Sequence, residues 1–395
     1  PIEIFKRTNK KEVYKVIYLV TFFLSFLLLY LSEYINNKYV KRMITGISIL
    51  IPCLLAGLRF ETIGTDVTIY LKKMFLNANV SNNFFEFLKM GIRYDTVSSY
   101  EYGFTFMVYI ITKIFHNFQF VLFFIETLVL FPIYKGLKNI FQDNKKVSIC
   151  MLVYFFLFYN TSFNLMRQYI AISLVFLGTS YLIKDKSILK FFLLTFFAYL
   201  FHKSSLLAIF IFLIYYISNH EFKRCLKINN HIIKFNEITL LILSILCFFL
   251  VINNNIFANL LSSLNLDYYA RYVNGTVTFA IQCIVRFIPF IIFLFLFGKN
   301  FKQLDNNFSF YITIAFFEFI FNLFSSFNVF SSRIALYFSV FYIVSLPSIS
   351  FYNKNKLLSN IMKVLLLIYL IIYWYYYSIY CNGGETFPYI FYFNK

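Results

Sequence analysis

Charged residues are scarce in this chain. Asp, Glu, Lys and Arg make up 13% of its 395 residues, about half the share that a soluble domain carries. Acidic residues are the scarcest, 17 against 36 basic ones. With so few groups to hold a surface in water, a soluble globule is excluded. Cysteine is thinly spread: Cys53, Cys150, Cys225, Cys247, Cys283 and Cys381 lie mostly inside apolar runs, with no C-x-x-C spacing. Redox and zinc chemistry are therefore not expected. The histidines His116, His202, His220 and His231 form neither H-x-x-x-H nor H-E-x-x-H, so no metal site is expected either. No repeat of fixed period appears and no soluble domain stands out. The chain reads as a single integral membrane domain, 1–395.

What is abundant points the same way. The chain is 60% hydrophobic with a mean hydropathy of +0.71. Apolar runs recur that approach or reach the ~20 residues needed to cross a bilayer as a helix. They fall near 14–34, 43–58, 102–116, 118–134, 147–163, 165–183, 188–201, 203–217, 238–252, 278–297, 308–326, 333–350 and 357–378. Several are too short to cross alone, and 102–116, 188–201 and their neighbours suit broken or re-entrant helices. The expectation is an all-α polytopic membrane protein with roughly 10 to 13 transmembrane or re-entrant helices. No cleavable leader is expected, because the run from Val16 to Leu31 is long for one and no small-residue cleavage site follows it.

The net charge of +19 does not indicate nucleic acid. The basic residues are scattered over short loops, the pattern that fixes membrane topology and that pairs with anionic membrane lipids. The loops 135–146, 184–190, 218–237 and 351–363 are the most consistently basic and read as cytoplasmic. Arg167, His202, Arg271 and Arg333 then fall on the outer face. Two longer hydrophilic stretches interrupt the pattern. Residues 59–100 read as an extramembrane loop with interfacial helices, placed outside even though the basic start of the chain argues for inside. Residues 253–277 read as a second outer-face loop. The 57 Phe and 33 Tyr have two readings: sugar-stacking surfaces with interfacial belts, or a bias shared with Ile, Asn and Lys.

Four constellations carry possible chemistry. In Arg59-Phe60-Glu61-Thr62-Ile63-Gly64-Thr65-Asp66, Gly64 permits a tight turn, Arg59 suits a phosphate, and Asp66 suits proton transfer or sugar hydroxyls. The plain alternative is a loop whose Thr65 or Asp66 caps a helix. In Asn164-Leu165-Met166-Arg167-Gln168, a guanidinium among amides, with Asn160 nearby, suits an anionic, hydroxyl-rich ligand. The alternative is a snorkelling helix-end Arg. His202, in Phe201-His202-Lys203-Ser204, suits a general base or a cap at a helix junction. Arg333 opens another apolar run, and Arg271 and Arg286 are weaker members. Glu126 and Glu318 sit mid-span, where a carboxylate is costly, so pairing with an Arg is expected. Several Arg with a His and an Asp on one membrane face suit a pyrophosphate with a sugar beside it.

These segments, with Glu101-Tyr102-Gly103-Phe104 and Arg333-Ile334 with Tyr337, make the chain similar to the EpsG/Wzy-type family of bacterial surface-polysaccharide polymerases. Their order and spacing agree from about residue 50 to residue 345. Tyr102 stands where the family's second motif often has Pro. The resemblance implies a membrane glycosyltransferase of GT-C-like architecture in the bacterial cytoplasmic membrane, with its site facing the periplasm or exterior. Its implied substrate is an oligosaccharide on undecaprenyl pyrophosphate, transferred without metal or other cofactor. The implied partners are a flippase and a chain-length regulator of the same pathway. On that basis Arg59, Arg167 and Arg333 clamp the pyrophosphate with Gln168 and Asn164 beside them. His202 or Asp66 takes the acceptor proton, and Arg271 and Arg286 guide the second substrate. A lipid-linked oligosaccharide flippase, an O-antigen ligase and a structural partner of the assembly machinery are the alternatives.

Overall fold

A computed structural model describes residues 2–219, 225–228, 231–234, 307–323, 329–352 and 355–393, with single positions at 259, 262, 263 and 291. The chain is an all-α polytopic membrane protein. Six of its helices are long and apolar enough to cross a membrane, and four shorter apolar helices accompany them among the described residues. Apart from those single positions, the expected spans 238–252 and 278–297 and the loop 253–277 lie outside the described residues, as do Arg271 and Arg286. The chain divides into two compact units, Pro1–Ser205 with Asn360–Lys395, and Leu206–Ser359.

The first unit contains α1 (Ile2–Leu31), α2 (Lys38–Leu58), the short α3 (Lys72–Val80) and α4 (Phe84–Lys89), α5 (Tyr102–Phe115) and α6 (Phe118–Phe141). It continues with α7 (Asn144–Tyr154), which runs through a π-turn into α8 (Asn160–Ser162), then α9 (Met166–Asp185) and α10 (Ile188–Tyr199). Three of the links are nearly identical. His116, Gln142 and Lys186 take positive φ and end α5, α6 and α9. Each is followed by a polar residue (Asn117, Asp143 or Ser187) whose side chain caps the next helix. These two-residue turns reverse the chain, and α6 with α7 and α9 with α10 pack antiparallel across them.

Two spans contain an internal proline, and the bundle compensates each one. Pro52 has no N–H for the carbonyl of Ser48, and Ser25 Oγ from α1 donates to that carbonyl at 2.6 Å. Pro132 likewise frees the carbonyl of Leu128, which accepts from Ser173 Oγ of α9 at 3.2 Å. An unpaired carbonyl in hydrocarbon costs several kcal/mol, so these hydroxyls pin α1 to α2 and α6 to α9. Gly136 tightens the second pairing: a Cβ there would meet the Phe176 ring at 2.7 Å.

The aromatics mostly build a core. Tyr18, Phe22, Phe155, Tyr159, Trp374 and Tyr389 form one buried cluster, with Tyr18 edge-on to Tyr389 at 5.4 Å and Phe22 stacked on Phe155 at 5.4 Å. Trp374 Nε1 donates to Asn160 Oδ1 at 2.8 Å, and Asn160 Nδ2 donates to Thr386 Oγ1 at 2.8 Å. The tail therefore closes onto the bundle. It also runs beside the first motif: Phe60 N donates to the Ile390 carbonyl at 2.8 Å, Gly64 N to the Glu385 carbonyl at 3.2 Å, and Tyr392 N to the Leu58 carbonyl at 3.0 Å.

In the second unit α11 (Ala208–Asn219), a two-stranded hairpin β3–β4 (Cys225–Ile228 and His231–Lys234), α12 (Phe308–Leu323), α13 (Val329–Ser339) and α14 (Tyr342–Phe351) are described, and α15 (Lys356–Trp374) leads back to the first unit. Phe210 packs edge-on to Phe317 at 5.1 Å and to Phe338 at 5.9 Å. Glu318 is buried and accepts from Tyr342 Oη at 2.8 Å and Asn322 Nδ2 at 2.5 Å.

Candidate functional site

The first unit brings four of the sequence motifs to one end of its bundle. α9 begins there with Arg167. α6 runs parallel to α9, since Asn139 Nδ2 donates to Ser180 Oγ at 3.0 Å, so its start lies at the same end. α10 runs back antiparallel, and Gly178 seats against Phe191, returning the chain to that end at Leu200. α2 finishes there too: Gln119 Nε2 donates to the Arg59 carbonyl at 2.9 Å.

Both ends of α5 lie at this end, Glu101 beside Arg167 and His116 next to the start of α6. At 14 residues it rises ~21 Å, short of a crossing. The segment 59–100, with α3, α4 and the turn β1–β2 (Gly91–Ile92 and Asp95–Thr96), thus shares an end with Arg167. The links 135–146 and 184–190 lie at the other. α1 adds a finding. Its last turn reaches Asn144, whose Nδ2 donates to Ser32 Oγ at 2.7 Å, so the basic start of the chain enters at the motif end. That start and loop 135–146 cannot both be cytoplasmic.

Arg167 is the centre of the cluster. Its Nη1 bonds Glu101 Oε2 at 2.5 Å, and its Nε donates to Tyr70 Oη at 3.3 Å. The guanidinium carbon lies 4.9 Å from both the Tyr70 and Tyr100 rings. Tyr70 Oη in turn donates to Asp66 Oδ2 at 2.9 Å, and the Asp66 N–H donates to Asn164 Oδ1 at 3.1 Å. On the far side Glu101 Oε1 accepts from the Lys203 N–H at 3.4 Å, and His202 Nδ1 lies 2.5 Å from Ser204 Oγ. Asp66, Tyr70, Arg167 and Glu101 form one continuous polar chain, with the His202 segment at its end. Asp66 makes no side-chain cap to the helical turn that follows; its carboxylate is turned to Tyr70 instead.

Two glycines permit these approaches. Gly64 has φ +91° and lies where a Cβ would meet the Phe163 carbonyl oxygen at 2.8 Å. At Gly103 a Cβ would meet the Leu200 carbonyl oxygen at 2.6 Å, where Gly103 N donates to that same oxygen at 2.8 Å. The Glu-Tyr-Gly and His-Lys-Ser motifs are locked together at this point.

Electrostatics favour a charged Glu101 and neutral tyrosines. Burial pushes the Glu101 carboxyl up, but Arg167 and His202 outweigh it and hold its pKa below the usual value. Burial, reinforced by Asp66, pushes the Tyr70 phenol well up, so it stays a donor to Asp66. The Arg167 side chain remains 18% exposed, while that of Glu101 is 8% exposed. Arg167 is therefore the more exposed partner of this pair.

Other expected residues are placed differently. Arg59 is 1% exposed: its guanidinium lies 4.1 Å over the Phe163 ring, Nη1 reaches the Ala56 carbonyl at 3.3 Å, and Nε has no partner. It stands behind Arg167 in the interior. Gln168 and Asn160 are buried, and Asn160 serves the tail. Glu126 makes no ion pair among the described residues. It accepts from Ser162 Oγ at 3.1 and 3.2 Å, and the expected Arg partner acts on it at longer range, as the charge of Arg59. Arg333 is exposed and belongs to the second unit. Glu101, Tyr70 and Tyr100 were not singled out for a role, although Glu101 opens a quoted motif and Tyr70 lies four residues after Asp66.

A family model described as the EpsG family matches residues 42–391 of the chain. No curated protein and no solved structure matches it.

Proposed function

The chain belongs to the EpsG family, a family of Wzy-like polysaccharide polymerases, and we propose that it joins oligosaccharide units carried on undecaprenyl pyrophosphate into a surface polysaccharide. The observation that carries this reading is the meeting of Asp66, Arg167, Glu101 and the His202 segment at one end of the bundle. In the proposed reaction a hydroxyl at the non-reducing end of one lipid-linked unit attacks the anomeric carbon of the growing chain. The bond from that carbon to the pyrophosphate oxygen breaks, and lipid pyrophosphate leaves. The attacking hydroxyl's proton passes to His202 or Asp66.

Arg167 is the group placed to meet the charge that builds on the leaving pyrophosphate, as a planar fork suited to phosphate. Tyr70 and Tyr100 flank it, and Glu101 aims it. Asn164 holds the Asp66 loop from the same turn, and Gln168 supports the start of α9 from the interior. One guanidinium against two carboxylates is too little cation for a pyrophosphate. Arg333, Arg271 and Arg286 are proposed to bind the lipid-linked substrates as well, and Arg59 supplies background positive charge in the interior of the first unit. The transfer is proposed to be metal-independent, with the arginines in the electrophilic role. The site is proposed to face outward from the bacterial cytoplasmic membrane, because the basic links 135–146 and 184–190 lie at the opposite end. Whether the product is O-antigen, capsule or exopolysaccharide, the flippase and chain-length regulator of that pathway are the proposed partners.

Deleting the gene in the source bacterium tests the reaction. A polymerase loss leaves single repeat units on the cell surface in place of a ladder. Disappearance of surface glycan altogether points to a flippase or ligase and removes this assignment.

A further inference from the structure

We propose that the cleft between α2 and α6, at the end of the bundle opposite Arg167, binds an anionic glycerophospholipid, its phosphate held by Lys38 and Arg42 and its acyl chain lying along Leu50 and Phe131. The cleft has a volume of about 560 Å³. Four of its lining residues are cations (Lys38, Lys41, Arg42 and Lys138) and none is a carboxylate. Two of the four are already engaged: Lys41 Nζ bonds Glu33 Oε2 at 3.0 Å, and Lys138 Nζ bonds Asn144 Oδ1 at 2.7 Å. Lys38 and Arg42, one helical turn apart, are exposed and have no side-chain partner among the described residues. The first turn of α2 contains no acidic residue, so the positive end of the helix dipole adds to them.

The shape of the cleft selects the ligand. α2 and α6 run antiparallel, so Lys38, Arg42 and Lys138 share one level. Ile49, Leu50 and Phe131 lie deeper in the span, with Leu50 ~12 Å below Arg42 at 1.5 Å per residue. The cleft is thus cationic at the membrane boundary and apolar below it, the same polarity as a phospholipid. A free anion would fill only the upper half. Gly46 keeps the wall open, since a Cβ there would meet nothing within 4 Å. Leu50 and Phe131 are 41% and 56% exposed, available to an acyl chain. Basic clefts between spans are suited to anionic headgroups.

Native mass spectrometry of the purified full chain in detergent tests this. The probe is dioleoylphosphatidylglycerol, with dioleoylphosphatidylcholine and inorganic phosphate as comparators. The expected result is selective retention of phosphatidylglycerol, weakened roughly thirtyfold by Lys38→Ala with Arg42→Ala, at about fivefold per cation. Gly46→Leu, which keeps every charge and fills the cleft, is expected to weaken it as well. Equal retention of phosphatidylcholine, unchanged binding in both variants, or displacement of the lipid by millimolar phosphate would overturn the proposal.

Discussion

At the residue scale the cluster depends on one ion pair. Arg167 and Glu101 are both largely withdrawn from solvent, and removing one partner of such a pair strands the other charge, at a cost of about 3 kcal/mol. Glu101→Ala is therefore expected to lower the melting temperature of the purified protein and to abolish polymer. Glu101→Gln keeps the shape without the charge and should retain more stability than activity. The depressed Glu101 pKa fixes the sign of the pH response. Its contribution is fully present above the unfolded carboxylate value of about 4.3 and is lost as pH falls through the lower folded value. Wild type should lose melting temperature more steeply than Glu101→Gln as pH drops below about 4; parallel slopes would show that the pair contributes nothing. Arg167 was legible in the sequence because a guanidinium at a membrane boundary is costly. Glu101 was less so, because a carboxylate beside a short apolar run has no pattern of its own until its partner, 66 residues away, is known. The burial of Arg59 was not legible: Arg is usually exposed, and here an aromatic ring covers it.

At the element scale the site is set by how helices end. α5 and α10 meet at Gly103 and Leu200 with no room for a methyl group. Gly103→Ala should cost about 1–3 kcal/mol as overpacking and draw Glu101 away from the His202 segment. It is expected to cut polymer yield while α6 and α9 stay packed. Cross-linking yield between cysteines at 102 and 203, with and without Gly103→Ala, reads the displacement directly; an unchanged yield, with normal polymer from Gly103→Ala alone, would remove this contact from the site. Long spans were readable from hydropathy alone. Length alone already set 102–116 apart as broken or re-entrant, and its two end contacts place both its ends at the motif end. The tail was read only as short and aromatic, although it pairs with the first motif. Its partners in that motif lie more than 300 residues away, and no local periodicity announces such a contact.

At the scale of the whole molecule, orientation is the prediction with most reach. Basic residues occur at both ends of the first unit, so the Lys and Arg rule gives no single answer. The proposed arrangement puts Tyr94, fully exposed in the 59–100 segment, outside, and Tyr39, 80% exposed at the start of α2, inside. In a background without native cysteines, Tyr94→Cys should react with a membrane-impermeant maleimide on intact cells and Tyr39→Cys only after lysis. The reverse pattern would place the Arg167 cluster in the cytoplasm and end the case for outward-facing polymerisation. The most direct test of the central claim is the surface-glycan ladder of the deletion strain complemented with wild type or with Arg167→Ala, at matched membrane levels of the protein. The account predicts a ladder with wild type and single repeat units with Arg167→Ala. A normal ladder from Arg167→Ala would contradict it.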